Sequence, residues 1–489
     1  MNPGMQIPAL QTRRQFFSRS AVGIGTAAYA SLLNRDATAT PANQNELPLG
    51  GLPHLPHYAA KAKRVIYMFM NGAPTHTDLF DYNPLQQKMH GEPIPESYFR
   101  GKRFSTMTGN PAGKKVLAPV EPFRQYGESG AWVSDFMKHT GKVADDVCFI
   151  KSMHTEQVNH APAVTFFLSG SEMAGRPTLG AWLSYGLGND TDNLPSFTVM
   201  TSVSKGTTCG QIFYDYYWGS GFLPSRFQGV KFRAGGDPVL YLSSPAGVTR
   251  QVRRGILDDL AQLNELQYKE FGDPEIQTRI AQYEMAYKMQ ASVPELTDIS
   301  DEPQHVLDMY GADVKERGTF AHHCLMARRL AERGVRFIQL MHAGWDQHGS
   351  LTTELYNQTR DTDQPSAGLL RDLKQRGMLE DTLLVWGGEF GRTPFLQGDI
   401  NNRPKWGRDH HPYAFTIWMA GGGIRPGTSY GSTDELGFKA VDNPVRIADL
   451  HATILHLLGI DAESLTYYHN GLDRKLTGAD GGQVIRGIV

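Results

Sequence analysis

Histidines and carboxylates gather in five short polar segments of this chain, each beside an apolar run. The first holds His76, Asp78 and Asp81 within Asn71-Gly-Ala-Pro-Thr-His-Thr-Asp-Leu-Phe-Asp. The second holds His154, Asn159 and His160. The third is His342-Ala-Gly-Trp-Asp346-Gln-His348 and the fourth Gly387-Gly-Glu389-Phe-Gly-Arg392-Thr-Pro. The fifth is Gly407-Arg408-Asp409-His410-His411-Pro412. Imidazole together with carboxylate suits zinc, manganese or iron, and ligands from separate loops can share one ion. A lone histidine or aspartate in a loop is usually a cap or a surface residue. The pair Asp346 and His348, set beside a Gly-Trp turn, stands out from that background. Asp449, His451 and His456 share a helical pattern with Ile454 and Leu458 and read as packing and capping.

Such ligands act together only if the elements carrying them end at one place. Apolar strands are expected at Arg64–Met70, Val147–Ser152, Ser196–Met200, Val335–Met341, Thr382–Trp386 and Phe415–Ala420. Helices are expected after His160, with Pro162 in the first turn, and at Pro177–Gly186. Others are expected from Thr319 to Gly334, from Leu369 to Gln375 and from Asn443-Pro444 to Gly459. This alternation implies an α/β fold, a mostly parallel sheet covered on both faces. In such sheets ligands bind beyond the carboxyl ends of the strands, where the polar segments fall. Ile256, Leu260 and Leu263, then Ile276, Ile280, Tyr283 and Tyr287, follow helical spacing. They suggest a helical insertion over about 245–315.

Composition narrows the function. Charge is balanced, with 48 basic and 50 acidic residues, which argues against a nucleic-acid or anionic-membrane partner. Cys148, Cys209 and Cys324 are far apart and form no CxxC, so thiol-redox and zinc-ribbon readings fall away. Near the N-terminus, Thr12-Arg13-Arg14-Gln15-Phe16-Phe17 precedes an apolar run from Ala21 to Leu33. This is the layout of a twin-arginine export signal, in which Ala37-Thr38-Ala39 and Ala28-Tyr29-Ala30 both fit a small-x-small cleavage site. The run is shorter than the roughly 20 apolar residues of a membrane span. The expectation is a signal at 1–39, a linker at 40–60 and one domain at 61–489, in a periplasmic or secreted protein exported already folded.

Several of these texts resemble the exported bacterial family called domain of unknown function 1501. They include the Gly-Trp-Asp-Gln-His, Gly-Glu-Phe-Gly-Arg-Thr-Pro and Gly-Arg-Asp-His-His-Pro segments and Ala448-Asp-Leu-His-Ala-Thr-Ile-Leu-His-Leu-Leu-Gly-Ile-Asp461. The opening Met70-to-Asp81 text and Arg176–Gly188 resemble it too. That family looks like a branch of the alkaline phosphatase and sulfatase superfamily. The resemblance implies a large three-layer α/β/α sandwich, one or two divalent metals (zinc, manganese or calcium), and hydrolysis of phosphate or sulfate esters of small molecules or glycans.

Carried over residue by residue, the resemblance is mixed. Asp346 and His348 match two metal ligands, and His410 or His411 matches the last metal-binding histidine. Glu389 falls where an aspartate is usual, and Phe390 where a histidine is usual, so one ligand of a second metal is missing. Asn71 replaces the ligand aspartate at the end of the first strand, where Asp78 or Asp81 could only substitute from further along, with His76 a further metal candidate in the same segment. The nucleophile, usually Ser, Thr or Cys ten residues before a helix-ending glycine, falls on His160, counted from Gly170. The sulfatase text Cys-x-Pro-x-Arg becomes His160-Ala-Pro162-Ala-Val164, which does not support a formylglycine enzyme. His160 is then expected as nucleophile or ligand and Arg392 as the group that neutralises the substrate anion. The rival expectation is a non-catalytic exported protein that binds an anion or glycan after losing the hydroxyl nucleophile.

Overall fold

The computed structural model describes residues 51–205, 211–239, 242–244 and 247–489. The expected signal, most of the expected linker and Cys209 lie outside the described residues. Eight strands form the main sheet: β1 Arg64–Asn71, β2 Val147–Met153, β3 Phe197–Val203, β4 Val230–Phe232, β5 Phe337–Ala343, β6 Thr382–Gly387, β7 Phe415–Ala420 and β8 Thr428–Tyr430. Their order across the sheet is β8-β2-β7-β6-β1-β5-β3-β4. All neighbours pair in parallel except β7, which runs antiparallel to both β2 and β6. The principal helices are α1 His160–Ser169, α2 Leu179–Leu187, α3 Arg250–Phe271, α4 Pro274–Thr297, α5 Phe320–Glu332, α6 Leu351–Gln375 and α7 Ile447–Leu457.

The central strand shows why the sheet is covered on both faces. Every residue of β1 after Arg64 is buried. Ile66, Met68 and Met70 join the core that α5 and α6 fill with Leu325, Leu330, Leu369 and Leu373. Tyr67 and Phe69 point the other way, toward Phe167 of α1. Apolar side chains at both alternating positions are the mark of a strand between two helical layers.

Helix α6 begins at Leu351, eighteen residues before the helix expected at Leu369. Its first half is rich in Thr, Asn and Asp, and Pro365 lies just past its midpoint, a text that reads as loop on propensity alone. Tertiary packing overrides this: Leu351, Leu355, Gln358, Thr362 and Ala367 are buried. Thr359, Thr362 and Ser366 turn their hydroxyls back onto carbonyls one turn earlier, at 2.7–2.8 Å, and so stay satisfied inside the protein. Gly51 to Ala60 lies within the expected linker but is pinned to the domain. Leu52 N–H donates to Gly186 O, and His57 N–H to Gly459 O, both at 2.8 Å.

Under α5 and α6 lies a buried ionic knot. Arg328 pairs with Glu302 at 2.5 Å, Glu332 at 2.7 Å and Asp372 at 3.0 Å. The Tyr310 hydroxyl also donates to Asp372 at 2.8 Å. Removing one partner of such a pair leaves a buried charge uncompensated, costing about 3–5 kcal/mol. Asp372→Ala is therefore expected to lower stability by that amount, read as a fall in the urea midpoint without loss of helical circular dichroism in the native baseline.

Candidate metal centre

The site follows from the direction of the strands. β1, β2, β5 and β6 all end at one edge of the sheet, so the segments after them meet there. β7 runs the other way, so the segment before it arrives at the same edge. That segment is fixed by a two-residue antiparallel pairing in which His410 faces Arg392 and His411 faces Gly391. His160 opens α1. Asp346 and His348 follow β5.

Four of these groups converge: ligand atoms of His160, Asp346, His348 and His410 lie within 4.8 Å of one another. Asp346 Oδ1 is 3.1 Å from His160 Nε2, 2.9 Å from His348 Nε2 and 3.3 Å from His410 Nε2. The Nε2 atoms of His348 and His410 are 3.0 Å apart. Each imidazole is held from behind through its other nitrogen. His160 Nδ1 meets Glu389 Oε1 at 2.6 Å, His348 Nδ1 meets Gln397 Oε1 at 2.7 Å, and His410 Nδ1 meets Val158 O at 2.7 Å.

That arrangement sets the tautomers. A backbone carbonyl only accepts, so His410 carries its proton on Nδ1. Burial pushes the His410 pKa down to about 4, against the pull of Asp346 and with help from Arg392, so the ring is neutral at pH 7. Its Nε2 lone pair then faces an oxygen of Asp346, acceptor against acceptor. His160 Nε2 is buried, lies close to the same oxygen and makes no aligned hydrogen bond. Burial lowers the His160 pKa, but Asp346 and Glu389 outweigh it and hold the ring above its ordinary value. The carboxylates of Asp346, Glu389 and Asp409 with the Arg392 cation leave a formal excess of two negative charges beside the imidazoles. Converging lone pairs, back-bonded imidazoles and a local double negative charge fit a divalent cation.

Asp346 is held in its ionised form. Burial would raise its pKa, but Arg392 first, then the three histidines, drive it well below the usual carboxylate range. Arg392 Nη2 reaches Asp346 Oδ1 at 2.6 Å. The guanidinium also donates to the carbonyls of Ala73, Gly72, Trp345 and Arg408. Arg392 is fully buried, so it braces Asp346 and the loop after β1 and does not present itself to a substrate anion, as the sequence suggested. Gly72 allows this close approach: its φ is +110°, and a Cβ there would sit 2.8 Å from Asp346 N. Its own N–H donates to Glu389 Oε1 at 3.0 Å.

Other expected ligands lie elsewhere. Asp78 takes a two-pronged contact from Arg408, Nε to Oδ2 at 2.6 Å and Nη2 to Oδ1 at 3.1 Å, with both side chains fully buried. It also accepts from Thr75 Oγ1 and Val120 N. His76 Nε2 meets Gly437 O at 2.8 Å, and His411 Nε2 meets Phe438 O. Burial pushes His411 down to about 3. These residues form a packed wall beneath the site, because neighbouring side chains on the His410–His411 strand point to opposite sides. Glu389 stands behind His160 and does not join the cluster of four. Phe390 packs its ring 5.0 Å from His160 and 4.9 Å from His410, where the resemblance places a ligand of a second metal. His154 is absent from the cluster; its N–H donates to Val445 O. Gln397, Val158 and Gln211, whose Nε2 donates to Asp346 Oδ2 at 2.8 Å, carried no signal in the sequence. Nothing in their spacing separates them from ordinary loop residues.

Distant structural likenesses exist among solved proteins. A sulfatase from Pseudoalteromonas sp. aligns with 87% of this chain and 73% of its own, at 14% identity and a TM-score of 0.33. The phosphonate monoester hydrolase of Silicibacter pomeroyi aligns over 72% and 71%, at 12% identity and 0.32. The alkaline phosphatase of the Antarctic bacterium TAB5 aligns over 81% and 98%, at 11% identity and 0.29. Among curated proteins nothing matches the sequence. The family model described as protein of unknown function (DUF1501) matches residues 62–489, the whole of the α/β body and its site, and the chain belongs to that family.

Proposed function

We propose that this protein is an exported, metal-dependent hydrolase of phosphate or sulfate esters, with the metal held by His160, Asp346, His348 and His410. The observation that carries this reading is the convergence of three back-bonded imidazoles on one oxygen of Asp346. The separations of 2.9–3.3 Å suit ligands around a small ion. Zinc–nitrogen bonds of about 2.0–2.1 Å in a tetrahedron put ligand atoms about 3.3 Å apart. Zinc fits best and manganese next. Calcium, also expected from the resemblance, takes oxygen ligands and suits three imidazoles poorly.

When bound, the ion supplies Lewis-acid polarisation of an ester oxygen and acidifies water. The side chains do the rest. Glu389 fixes the ring of His160, Gln397 that of His348, and the Val158 carbonyl that of His410, so the ligands are oriented before anything binds. With one nitrogen on Glu389 and the other facing Asp346, His160 is placed to hold the metal, and attack falls to water. His160 and His348 keep 14% and 20% side-chain exposure, which leaves one side of the cluster open to an ester. One observation favours the rival reading: four protein ligands close a tetrahedral shell, as in structural zinc sites.

Three outcomes test this. Purified protein should carry one equivalent of zinc or manganese. Asp346→Ala should lose it, whereas Asp78→Ala should keep it and be destabilised by about 3–5 kcal/mol through the orphaned Arg408. Aryl phosphates, phosphodiesters and aryl sulfates should include a substrate whose turnover disappears in Asp346→Ala and His160→Ala and needs added zinc or manganese after chelation. Absence of turnover on all of them, with metal still bound, favours a non-catalytic binding protein. The Arg13-Arg14 signal motivates the proposed export. Replacing both with lysine should hold the precursor in the cytoplasm by cell fractionation, and continued export would reject the twin-arginine route.

A further inference from the structure

The charges around the four converging groups bear on what kind of ester could approach them. Three buried carboxylates belong to the centre. Asp346 lies within it, Glu389 meets His160 Nδ1 at 2.6 Å, and Asp409 lies 3.7 Å from His348 Nδ1. Asp409 is built in as an acceptor. The His410 N–H donates to its Oδ1 at 2.7 Å, and the Ser105 and Thr108 hydroxyls donate to its Oδ2. Against these stands one cation. Arg392 reaches Asp346 at 2.6 Å, is fully buried, and gives its other hydrogens to backbone carbonyls. Among the described residues no other lysine or arginine comes within ion-pair distance of the four groups, Glu389 or Asp409. Arg408 is already answered by Asp78.

The side chains that reach the centre from its flanks are neutral amides. Gln211 donates to Asp346 Oδ2 at 2.8 Å, and Gln397 accepts from His348 Nδ1 at 2.7 Å. The chain between Lys205 and Gln211 reads Gly-Thr-Thr-Cys-Gly and carries no charge. One divalent ion would cancel the excess of two negative charges and leave the centre neutral. Phe390 packs against His160 and His410, where a ligand of a second ion would have to stand. The candidate esters differ in charge. A phosphate monoester is close to doubly negative above its second pKa of about 6. A phosphodiester or a sulfate monoester carries a single negative charge. Sites for the doubly charged group set arginine, lysine or metal clamps on its free oxygens. Here the one guanidinium is turned away behind a carboxylate. Each carboxylate also lies beside an imidazole nitrogen, in surroundings whose low dielectric strengthens repulsion.

We propose that the centre takes singly charged esters, a phosphodiester or a sulfate monoester, and discriminates against phosphate monoesters. This rests on the metal-dependent reading above and narrows it. A singly charged group meets a neutral centre and keeps the attraction of the ion, with Gln211 and Gln397 as uncharged neighbours. A doubly charged group brings a second charge that no cation is placed to answer, and Asp409 and Glu389 oppose it. These two carboxylates are therefore specificity-determining as well as structural. They act through the field they set at the open side of the cluster, not through contact with the ester.

The test is calorimetric titration of the zinc-loaded protein at about pH 8, well above the second phosphate pKa of about 6. The probes are phenyl phosphate, methyl phenyl phosphate and phenyl sulfate. One of the two singly charged esters should bind at least about tenfold more tightly than phenyl phosphate, and turnover should follow the same order. Which of the two leads separates a phosphodiester from a sulfate substrate. Asp409→Asn removes one negative charge and leaves the four ligands in place. It keeps an oxygen for the His410 N–H, and the Ser105 and Thr108 hydroxyls can turn to accept from its amide. It should narrow the gap about tenfold, chiefly by tightening phenyl phosphate. Glu389→Gln should do the same, so the outcome does not hang on the folding of one variant. Phenyl phosphate bound as tightly as the singly charged esters overturns the proposal. So does a gap that neither variant moves while metal content is unchanged. Protein that holds its metal but binds none of the three overturns it and leaves the metal centre standing. Protein that takes up no metal overturns both.

Discussion

One oxygen of one carboxylate organises this molecule. Asp346 Oδ1 receives Arg392 on one side and faces three imidazole nitrogens on the other. A buried carboxylate is costly unless its charge is answered. Arg392 answers it from within the protein, and by the same contacts fixes the loop after β1 through Gly72 and Ala73. His410, neutral with its proton on the rear nitrogen, adds no positive charge to answer it. The polarity of the cluster thus suits a cation, and the surrounding chain holds each imidazole from behind. Glu389 does two jobs in this scheme, orienting His160 and accepting the Gly72 N–H, which links the loops after β1 and β6 to the start of α1.

The reversal of β7 is the topological device behind the site. A fully parallel sheet would bring the start of that strand to the far edge, and His410 with it. Reversal also puts the residues before β7 next to those after β6, where Gly391-Arg392 and His410-His411 zip together. Alternation along that short strand then divides labour. His410 turns to the cluster around Asp346, while His411 turns to His76 and the Phe438 carbonyl. Beneath them the Arg408–Asp78 pair, sealed from water, ties the first polar segment to the fifth. A feature that looks like ligand chemistry in the sequence is here a structural rivet.

Much of this was legible in advance because strands and helix caps depend on near neighbours. Apolar runs bounded by Asn-Gly or Gly fixed β1, β6 and β7 to within a residue or so, and the Asp273-Pro274 start of α4 matches the text. Helix α6 was half hidden, since its polar first half is helical only because the core needs Leu351, Leu355 and Gln358 inside. In the site, Asp346 and His348 stood out because two ligands lie two residues apart. The difference between His410 and His411, or between Asp78 as ligand and Asp78 as ion-pair partner, depends on which side of a strand faces which loop. The role of Arg392 depends on burial. Neither can be read from residue type, because the same guanidinium that could meet a substrate anion can equally be enclosed behind a carboxylate.

The four converging groups come from positions 160, 346, 348 and 410, so their meeting has a kinetic side. Loops closed over some 250 residues form late, after the strands between them have paired. A nascent or partly folded chain therefore offers at most the Asp346–His348 pair, a weak chelate. The complete ligand set exists only when β2, β7, β6, β1 and β5 are all in place side by side. A cation that recognises this set binds the finished fold and not its precursors, and mass action then favours the folded state, by about 4 kcal/mol when the free ion exceeds its dissociation constant a thousandfold. The proposed ion would then be selected wherever the chain completes its sheet, by the geometry of the finished fold and not by either short segment alone.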